Sequence, residues 1–178
     1  GEVTTVAGNP HEEPDLVDGE GSHARFYSPQ GLDLHPSGDI IVTDSRNQAL
    51  RRVRLGGGSI GDPDSPQSKV STVAYVERLG VDRYTPGGPF RGQPMGVAVA
   101  PNGAVFVSDT QVDQILTVGE SGYKQSKIKE NTPRGNGLAL LRFAGEGVSG
   151  ARDGDYEFAR FAQPEGMLYE EDDDTLIV

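Results

Sequence analysis

Short apolar runs separated by turn-forming residues make up most of this chain, and no long segment repeats its apolar positions with a helical period. Apolar and polar or small residues alternate at 32–34 and 97–99, a period of two that predicts half-buried strands. The runs 40–42 and 105–107 are apolar and largely β-branched, as buried strands tend to be. The pattern predicts an all-β chain with little or no helix.

A motif recurs nearly three times along the chain. Each copy begins with Pro-x-Gly, at residues 29–31, 94–96 and 164–166. The first and second copies continue through a strand, a turn with proline and glycine, and a second strand that ends in Asp44 or Asp109. A third strand (53–55, 115–118) and a fourth (70–75, 138–144) follow. Four short strands in each repeat are typical of one blade of a β-propeller.

The repeats therefore divide the chain into about two full blades with partial blades at both ends. The predicted units are an outer strand of a preceding blade at 1–8, a blade at 28–76, a second blade at 93–146 and inner strands of a further blade at 163–178. A propeller closes with about 4–8 blades, so we expect the remaining blades in cis in a longer chain.

The repeat is longer than the roughly 40–50 residues of common propeller repeats. The prolines that open successive copies lie 65 and 70 residues apart. The excess lies in polar segments rich in turn-forming residues at 56–69 and 119–137, which we interpret as loop insertions. Few apolar residues anchor them, so they are predicted to be the most mobile parts of the chain.

Composition restricts the possible partners. The chain has a formal net charge of −11, and an acidic surface repels phosphate backbones, which argues against nucleic acid as a partner. No apolar run approaches 18 residues, so no membrane span is predicted. The absence of cysteine excludes disulfides and thiolate zinc sites from this stretch.

The order of the short motifs resembles an NHL repeat. Val-Thr-Thr-Val-Ala-Gly at 3–8 is followed by Asp-Gly-Glu-Gly at 18–21, Ala-Arg-Phe at 24–26, Pro-Gln-Gly-Leu at 29–32 and Asp-Ser-Arg-Asn-Gln-Ala-Leu-Arg at 44–51. The family pattern ends in Asp-x-x-Asn-x-x-Ile/Leu-Arg. The second copy departs from it, with Val112 for the asparagine and Leu116 for the arginine. The resemblance implies a segment of an NHL-type β-propeller with four-stranded antiparallel blades.

Most motif residues are interpreted as parts of the frame. Asp44, Asn47 and Asp109 follow the second strands, where their side chains can bond to the backbone of a tight connection. The loops entering the blades carry two Arg-Phe pairs, Arg25-Phe26 and Arg160-Phe161. We expect the arginines to form inter-blade ion pairs or hydrogen bonds near the level of those aspartates, and the phenylalanines to pack between blades.

Candidate chemistry is sparse. His11, His23 and His35 lack the spacing of a metal site, and the acidic run 170–174 lacks the spaced ligands of a calcium loop. No catalytic residue, cofactor or metal ligand is therefore predicted. The second insertion holds basic residues that form a possible partner-contact loop for an acidic partner: Tyr123, Lys124, Lys127, Lys129 and Arg134.

Two functional classes remain open. The resemblance implies a non-catalytic scaffold that presents loops to protein partners, which suits long insertions on rigid blades. The alternative is a metal-dependent propeller enzyme, amidating-lyase-like or lactonase/hydrolase-like, with its site largely in other blades. The polar residues predicted on the inner strands are mainly Asp33 and Glu165, which favours the scaffold.

Overall fold

The computed structural model describes residue 3 and residues 5–56, 69–76, 92–120 and 138–178. Within these ranges the chain is all-β, as predicted, and its only helical elements are two short 3-10 turns at Gly21–His23 and Ser45–Asn47. No helix in the described ranges is long and apolar enough to cross a membrane. The strands are β1 (Gly19–Glu20), β2 (Pro29–Leu34), β3 (Ile40–Asp44), β4 (Ala49–Arg54), β5 (Lys69–Val76), β6 (Pro94–Val99), β7 (Val105–Asp109), β8 (Gln114–Glu120), β9 (Leu138–Ala144), β10 (Leu168–Glu170) and β11 (Thr175–Ile177).

The strands form blades of antiparallel neighbours in chain order. Blade 1 is β2-β3-β4-β5, blade 2 is β6-β7-β8-β9, and blade 3 begins with the pair β10-β11. The turn between β2 and β3 is closed by the N–H of His35, which donates to Asp39 O at 2.9 Å, and the corresponding turn of blade 2 closes in the same way. Gly38 and Gly103 have φ of 84° and 86° in these turns, a region that favours glycine.

Each blade has two faces, and the main core lies where blade 1 meets blade 2. We call the side toward the next blade the following face and the opposite side the preceding face. Residues of the following face of blade 1 and of the preceding face of blade 2 form one buried cluster, namely Ile41, Leu50, Val97, Val105, Val107, Leu116 and Leu140. The outer strands β5 and β9 also pair in parallel, through Tyr75 with Ala139 and Val76 with Leu140.

A second buried cluster lies on the preceding face of blade 1. It consists of Ala24, Val53 and Val70, with further apolar residues packed against it: Val6, Ala7, Phe26, Ile40 and Val42. The predicted strand at 1–8 differs here, because residues 5–8 form no strand and Gly8, with φ of 102°, bends the chain. The Gly8 N–H donates to Gly21 O at 3.1 Å, so this segment is fastened to the loop entering blade 1.

The strand boundaries differ modestly from the prediction. The third strand of blade 1 begins at Ala49, directly after the 3-10 turn, where Ala49 pairs with Asp44. Lys69, the last residue of the predicted insertion 56–69, is the first residue of β5. The strand β8 ends at Glu120, so it includes the first two residues of the predicted insertion 119–137. Residues 57–68 and 121–137 lie outside the described residues, and so does the prediction of their mobility.

Candidate functional site

Asp44 lies at the centre of a dense group of buried side chains joined by hydrogen bonds and an ion pair. It is the last residue of β3 and is fully buried. Its Oδ1 accepts a hydrogen bond from the Tyr27 N–H at 2.7 Å, and its Oδ2 accepts one from Asn47 Nδ2, also at 2.7 Å. Asn47 reaches back because the 3-10 turn Ser45–Asn47 ends at Gln48, which has φ of 53°. Asp44 and Asn47 thus lie in the tight connection where the sequence places them.

Arg51 binds Asp44 directly, and the sequence analysis assigned it no role. Its Nη1 donates to Asp44 Oδ2 at 2.7 Å and to Arg25 O at 2.9 Å, while its Nη2 donates to Val17 O and Asp18 Oδ1, both at 2.9 Å. The guanidinium is fully buried and lies 4.8 Å from the centre of the Phe26 ring. We call Asp44, Asn47, Arg51, Asp18 and Phe26 the Asp44 cluster.

Strand alternation could have located Arg51. It shares a face of β4 with Ala49 and Val53, both buried, so period two places it inside. A buried arginine needs a carboxylate and further acceptors, and the nearest acidic residue in the motif is Asp44. The arginine that ends the family pattern could therefore have been recognised from the sequence as the buried partner of Asp44.

Burial and hydrogen bonding act against each other at Asp44. Burial raises the pKa of the Asp44 carboxyl above its usual value, while bonds from Asn47, the Tyr27 N–H and Arg51 lower it. The buried ion pair joins β3, β4 and the loop entering blade 1. Its members bond to one another and to backbone oxygens of the entry loop, so among the described residues the group fastens that loop to β3 and β4.

Blade 2 retains the aspartate without the arginine. Asp109 Oδ1 accepts hydrogen bonds from the N–H groups of Gln93 at 2.8 Å and Gln111 at 3.1 Å. Leu116 takes the place of Arg51 and is 4% exposed in the main core. The aspartate therefore closes the connection in both blades, whereas the arginine at this strand position belongs to blade 1.

Arg25 and Arg160 do not reach the aspartates that end the second strands. Arg25 pairs with Asp15 at 3.3 Å, and Arg160 pairs with Glu146 at 2.6 Å, both within the loops that enter their own blades. Both arginines thus pair inside these loops instead of between blades, and the cation at Asp44 is Arg51. A hydrogen bond from Arg160 holds the pKa of Glu146 below its usual value.

The two motif phenylalanines occupy equivalent places. Phe26 packs in the second cluster, and a Cβ on Gly8 would lie 3.4 Å from its ring. A Cβ on Gly145 would lie 3.1 Å from the Phe161 ring. Both rings therefore pack against the glycine that begins the loop into their blade.

Two hydroxyl groups bind neighbouring blades together, and the sequence did not reveal them. Thr43 Oγ1 accepts a hydrogen bond from the Gly31 N–H at 2.8 Å and donates to Met95 O of blade 2 at 2.6 Å. Ser108 repeats this arrangement one blade later, accepting from Gly96 N–H at 2.8 Å and donating to Glu165 O at 2.7 Å. The available signal was a hydroxyl residue directly before each motif aspartate.

The remaining candidates are dispersed. His35 Nδ1 lies 2.8 Å from Ser37 Oγ, and His23 Nδ1 lies 3.2 Å from Glu20 O. The described part of the chain holds no group of three or more His, Cys, Asp or Glu residues able to hold a metal ion. The predicted partner-contact residues Tyr123, Lys124, Lys127, Lys129 and Arg134 lie outside the described residues.

An open groove of about 400 Å³ lies between the turns that join the first two strands of the blades. Its apolar lining comes mainly from blades 1 and 2, and Glu171 of blade 3 contributes a carboxylate. The lining residues are Leu34, His35, Pro36, Gly38, Val99, Ala100, Pro101 and Glu171. A groove of this composition offers apolar contact rather than a set of reacting groups.

Comparison with known proteins agrees with the repeat architecture. Residues 26–52 match the model of the NHL repeat, and this range contains all of the Asp44 cluster except Asp18. The chain is 26% identical over 133 residues to "Protein SUPPRESSOR OF QUENCHING 1, chloroplastic" from Arabidopsis thaliana. The match covers 70% of this chain and 12% of that protein, so the chain spans a small part of that relative's length.

Proposed function

Because this chain is an all-β propeller segment with an NHL repeat at residues 26–52, we propose that it acts as a non-catalytic scaffold for protein partners. The observation that best supports this proposal is the set of groups to which the buried charged side chains are bonded. The charged side chains buried in the described ranges are Asp39, Asp44, Arg51 and Asp109. Each is bonded to groups of the blades themselves, which supports a role of these charges in the frame.

Rigid blades with long insertions suit recognition, because loops on a stiff frame can vary without disturbing the core. The second insertion, 119–137, concentrates positive charge in a chain whose net charge is −11. We assign it to an acidic protein partner, with Tyr123 and the adjacent Lys124 as the aromatic and charged contacts. The groove between the turns, lined by apolar residues with His35 and Glu171, is our candidate for a second contact surface on the frame.

Binding of an acidic peptide tests this proposal. Fluorescence anisotropy with a labelled Glu- and Leu-containing peptide is expected to show binding that weakens as salt is raised. Binding is expected to fall at least tenfold when four basic residues are reversed together: Lys124→Glu, Lys127→Glu, Lys129→Glu and Arg134→Glu. The control reverses Lys69 and Arg142, two exposed strand residues outside the insertion, and is compared with the double variant Lys124→Glu, Lys127→Glu, which changes the net charge equally; the control should retain binding more fully.

Equal losses in the two variants would show that net charge alone attracts the peptide, and the assignment of the insertion would then be wrong. Elemental analysis addresses the enzymatic alternative. One equivalent of a transition metal or calcium retained through dialysis, together with lactone or ester hydrolysis, would contradict the scaffold.

A further inference from the structure

The turns that join the first two strands of the three blades contribute to one groove of about 400 Å³. Blade 1 contributes His35 and Pro36, blade 2 contributes Ala100 and Pro101, and blade 3 contributes Glu171. These turns lie at the ends of the blades, so a neighbouring blade stacks beside them rather than over them. The groove is therefore formed mainly by the turns of three consecutive blades, apart from the faces on which further blades would stack.

The turn of blade 3 carries a run of carboxylates that the turns of the other two blades lack. Residues 170–174 read Glu-Glu-Asp-Asp-Asp and are all exposed, whereas the turns of blades 1 and 2 contain Pro-Ser-Gly and Pro-Asn-Gly. Within the described part of the chain, the ion pairs use carboxylates elsewhere and none uses this run. Neighbouring like charges repel one another, and blades 1 and 2 join their first two strands without them. The blade fold therefore does not require the acidic run.

Glu171 places the acidic run at the rim of the groove, because it belongs to both. The groove volume of about 400 Å³ lies within the roughly 300–1,000 Å³ of ligand sites, and most of its lining residues are apolar. A segment with apolar side chains in the groove would therefore pass carboxylates that no cation of the described residues pairs. Lysine or arginine at its next positions would be attracted there, whereas an acidic segment or a nucleic acid would be repelled.

We propose that the groove binds a segment of a partner protein in which apolar residues are followed by lysine or arginine. The apolar side chains lie in the groove, and the cations lie along residues 170–174. This inference rests on the proposed scaffold function and gives the partner chemistry of its second contact surface. The groove and the second insertion then recognise segments of opposite charge, because the insertion concentrates positive charge.

Fluorescence anisotropy of the 178-residue chain with the labelled peptide Leu-Leu-Lys-Lys-Arg tests the proposal. Binding is expected, and it should weaken as salt is raised, because exposed charges are screened. The peptide Gly-Gly-Lys-Lys-Arg carries the same charge without the apolar side chains and should bind more weakly.

Variants of the chain locate the binding surface. Glu171→Lys should weaken binding of the Leu-Leu peptide about fivefold, because it replaces attraction at the rim by repulsion. Glu157→Lys makes the same charge change at an exposed carboxylate of the loop entering blade 3, outside the groove, and should change binding by less than about twofold. Pro101→Ser removes apolar surface from the groove and should also weaken binding, whereas Pro14→Ser, at an exposed proline elsewhere, should not. Circular dichroism should show unchanged folding in all four variants.

The fourfold charge reversal of the second insertion separates this inference from the assignment of that insertion. It should not weaken binding of the Leu-Leu-Lys-Lys-Arg peptide, because that peptide does not use the insertion. If the acidic peptide fails to bind while the basic peptide binds at the groove, the assignment of the insertion is wrong and the groove proposal is supported. A wild-type chain that does not bind the basic peptide, equal losses in Glu171→Lys and Glu157→Lys, or equal binding of the Leu-Leu and Gly-Gly peptides would each overturn the groove proposal.

Discussion

Blade 2 carries leucine at the position of Arg51. Replacing Arg51 by leucine should destabilise blade 1 far more than replacing an exposed arginine would. The variant removes four hydrogen bonds and leaves the buried carboxylate of Asp44 without its cation. Breaking a buried ion pair by removing one partner costs about 3–5 kcal/mol. We expect the lower end of this range, because Asp44 keeps its bonds to Asn47 and the Tyr27 N–H.

The other acceptors of Arg51 add little to this cost. The carbonyl oxygens of Val17 and Arg25 each accept a backbone N–H from the other residue as well, so neither is left without a hydrogen bond. The Asp18 side chain is 34% exposed and can be hydrated. A loss of about 3 kcal/mol in the free energy of unfolding is therefore expected from the buried carboxylate alone.

Urea unfolding at pH 7, followed by circular dichroism, measures this loss. The control is Arg25→Leu, which removes an exposed pair with Asp15 and should cost about 1 kcal/mol or less. Hydrogen exchange should also show faster opening of residues 15–25 in Arg51→Leu, because Arg51 fastens this loop to β4. A loss below about 1 kcal/mol, similar to that of the control, would refute the role of the buried pair.

The same variant should respond to pH in a defined direction. Burial raises the folded-state pKa of Asp44, and the loss of Arg51 removes two effects that lower it. A carboxyl whose pKa is higher in the folded state than in the unfolded state stabilises the fold at a pH below its unfolded-state pKa of 3.8. This stabilisation is lost as pH rises through the folded-state pKa. The gap in stability between Arg51→Leu and wild type should therefore narrow as pH falls from 7 toward 4. A gap that stays constant or widens would contradict this reasoning.

Three further outcomes follow from the blade junctions and the entry loops. Thr43→Val removes a hydroxyl that bonds to both blades and should cost about 1–3 kcal/mol in urea unfolding, whereas an unchanged midpoint would exclude a role in stability. Gly96→Ala pushes a methyl group into the backbone of blade 3 and should speed hydrogen exchange in β10, while Gly166→Ala, with open space, should leave it unchanged. The hydrogen bond from Arg160 lowers the pKa of Glu146, so the stability that the Glu146 carboxylate contributes is present above its unfolded-state pKa of 4.5 and is lost as pH falls through its folded-state pKa. Carboxyl NMR should place the midpoint of the Glu146 titration below 4.5, and Arg160→Gln should raise that midpoint.

Much of the frame could be predicted from local patterns. Turn residues and period-two runs located the strands of blades 1 and 2, because tight turns and half-buried strands restrict which residues fit. The alternation at 32–34 predicted a half-buried strand, and Leu32 is nevertheless mostly exposed. A strand's own pattern says which side is apolar, but whether another blade covers that side depends on distant sequence.

The side-chain contacts were harder to predict because they depend on pairing between elements. The sequence assigned Arg25 to the motif aspartates on the basis of loop position, yet Arg25 contributes its backbone oxygen while Arg51 supplies the cation. Thr43 and Ser108 bond across blade junctions, and nothing local in the chain shows which carbonyl group faces each hydroxyl. Their common position before an aspartate becomes informative only when the two blades are superposed in register.

The difference between blades 1 and 2 identifies what the buried arginine contributes. Asp109 accepts two backbone N–H bonds in its connection and Leu116 joins the apolar core, so a blade of this type forms without an arginine at this position. Arg51 must therefore supply something other than the blade itself, and its bonds to Val17 and Arg25 show that it fastens the loop entering blade 1. At this position blade 1 therefore carries a cation that binds its entry loop, whereas blade 2 carries an apolar side chain that enlarges the core.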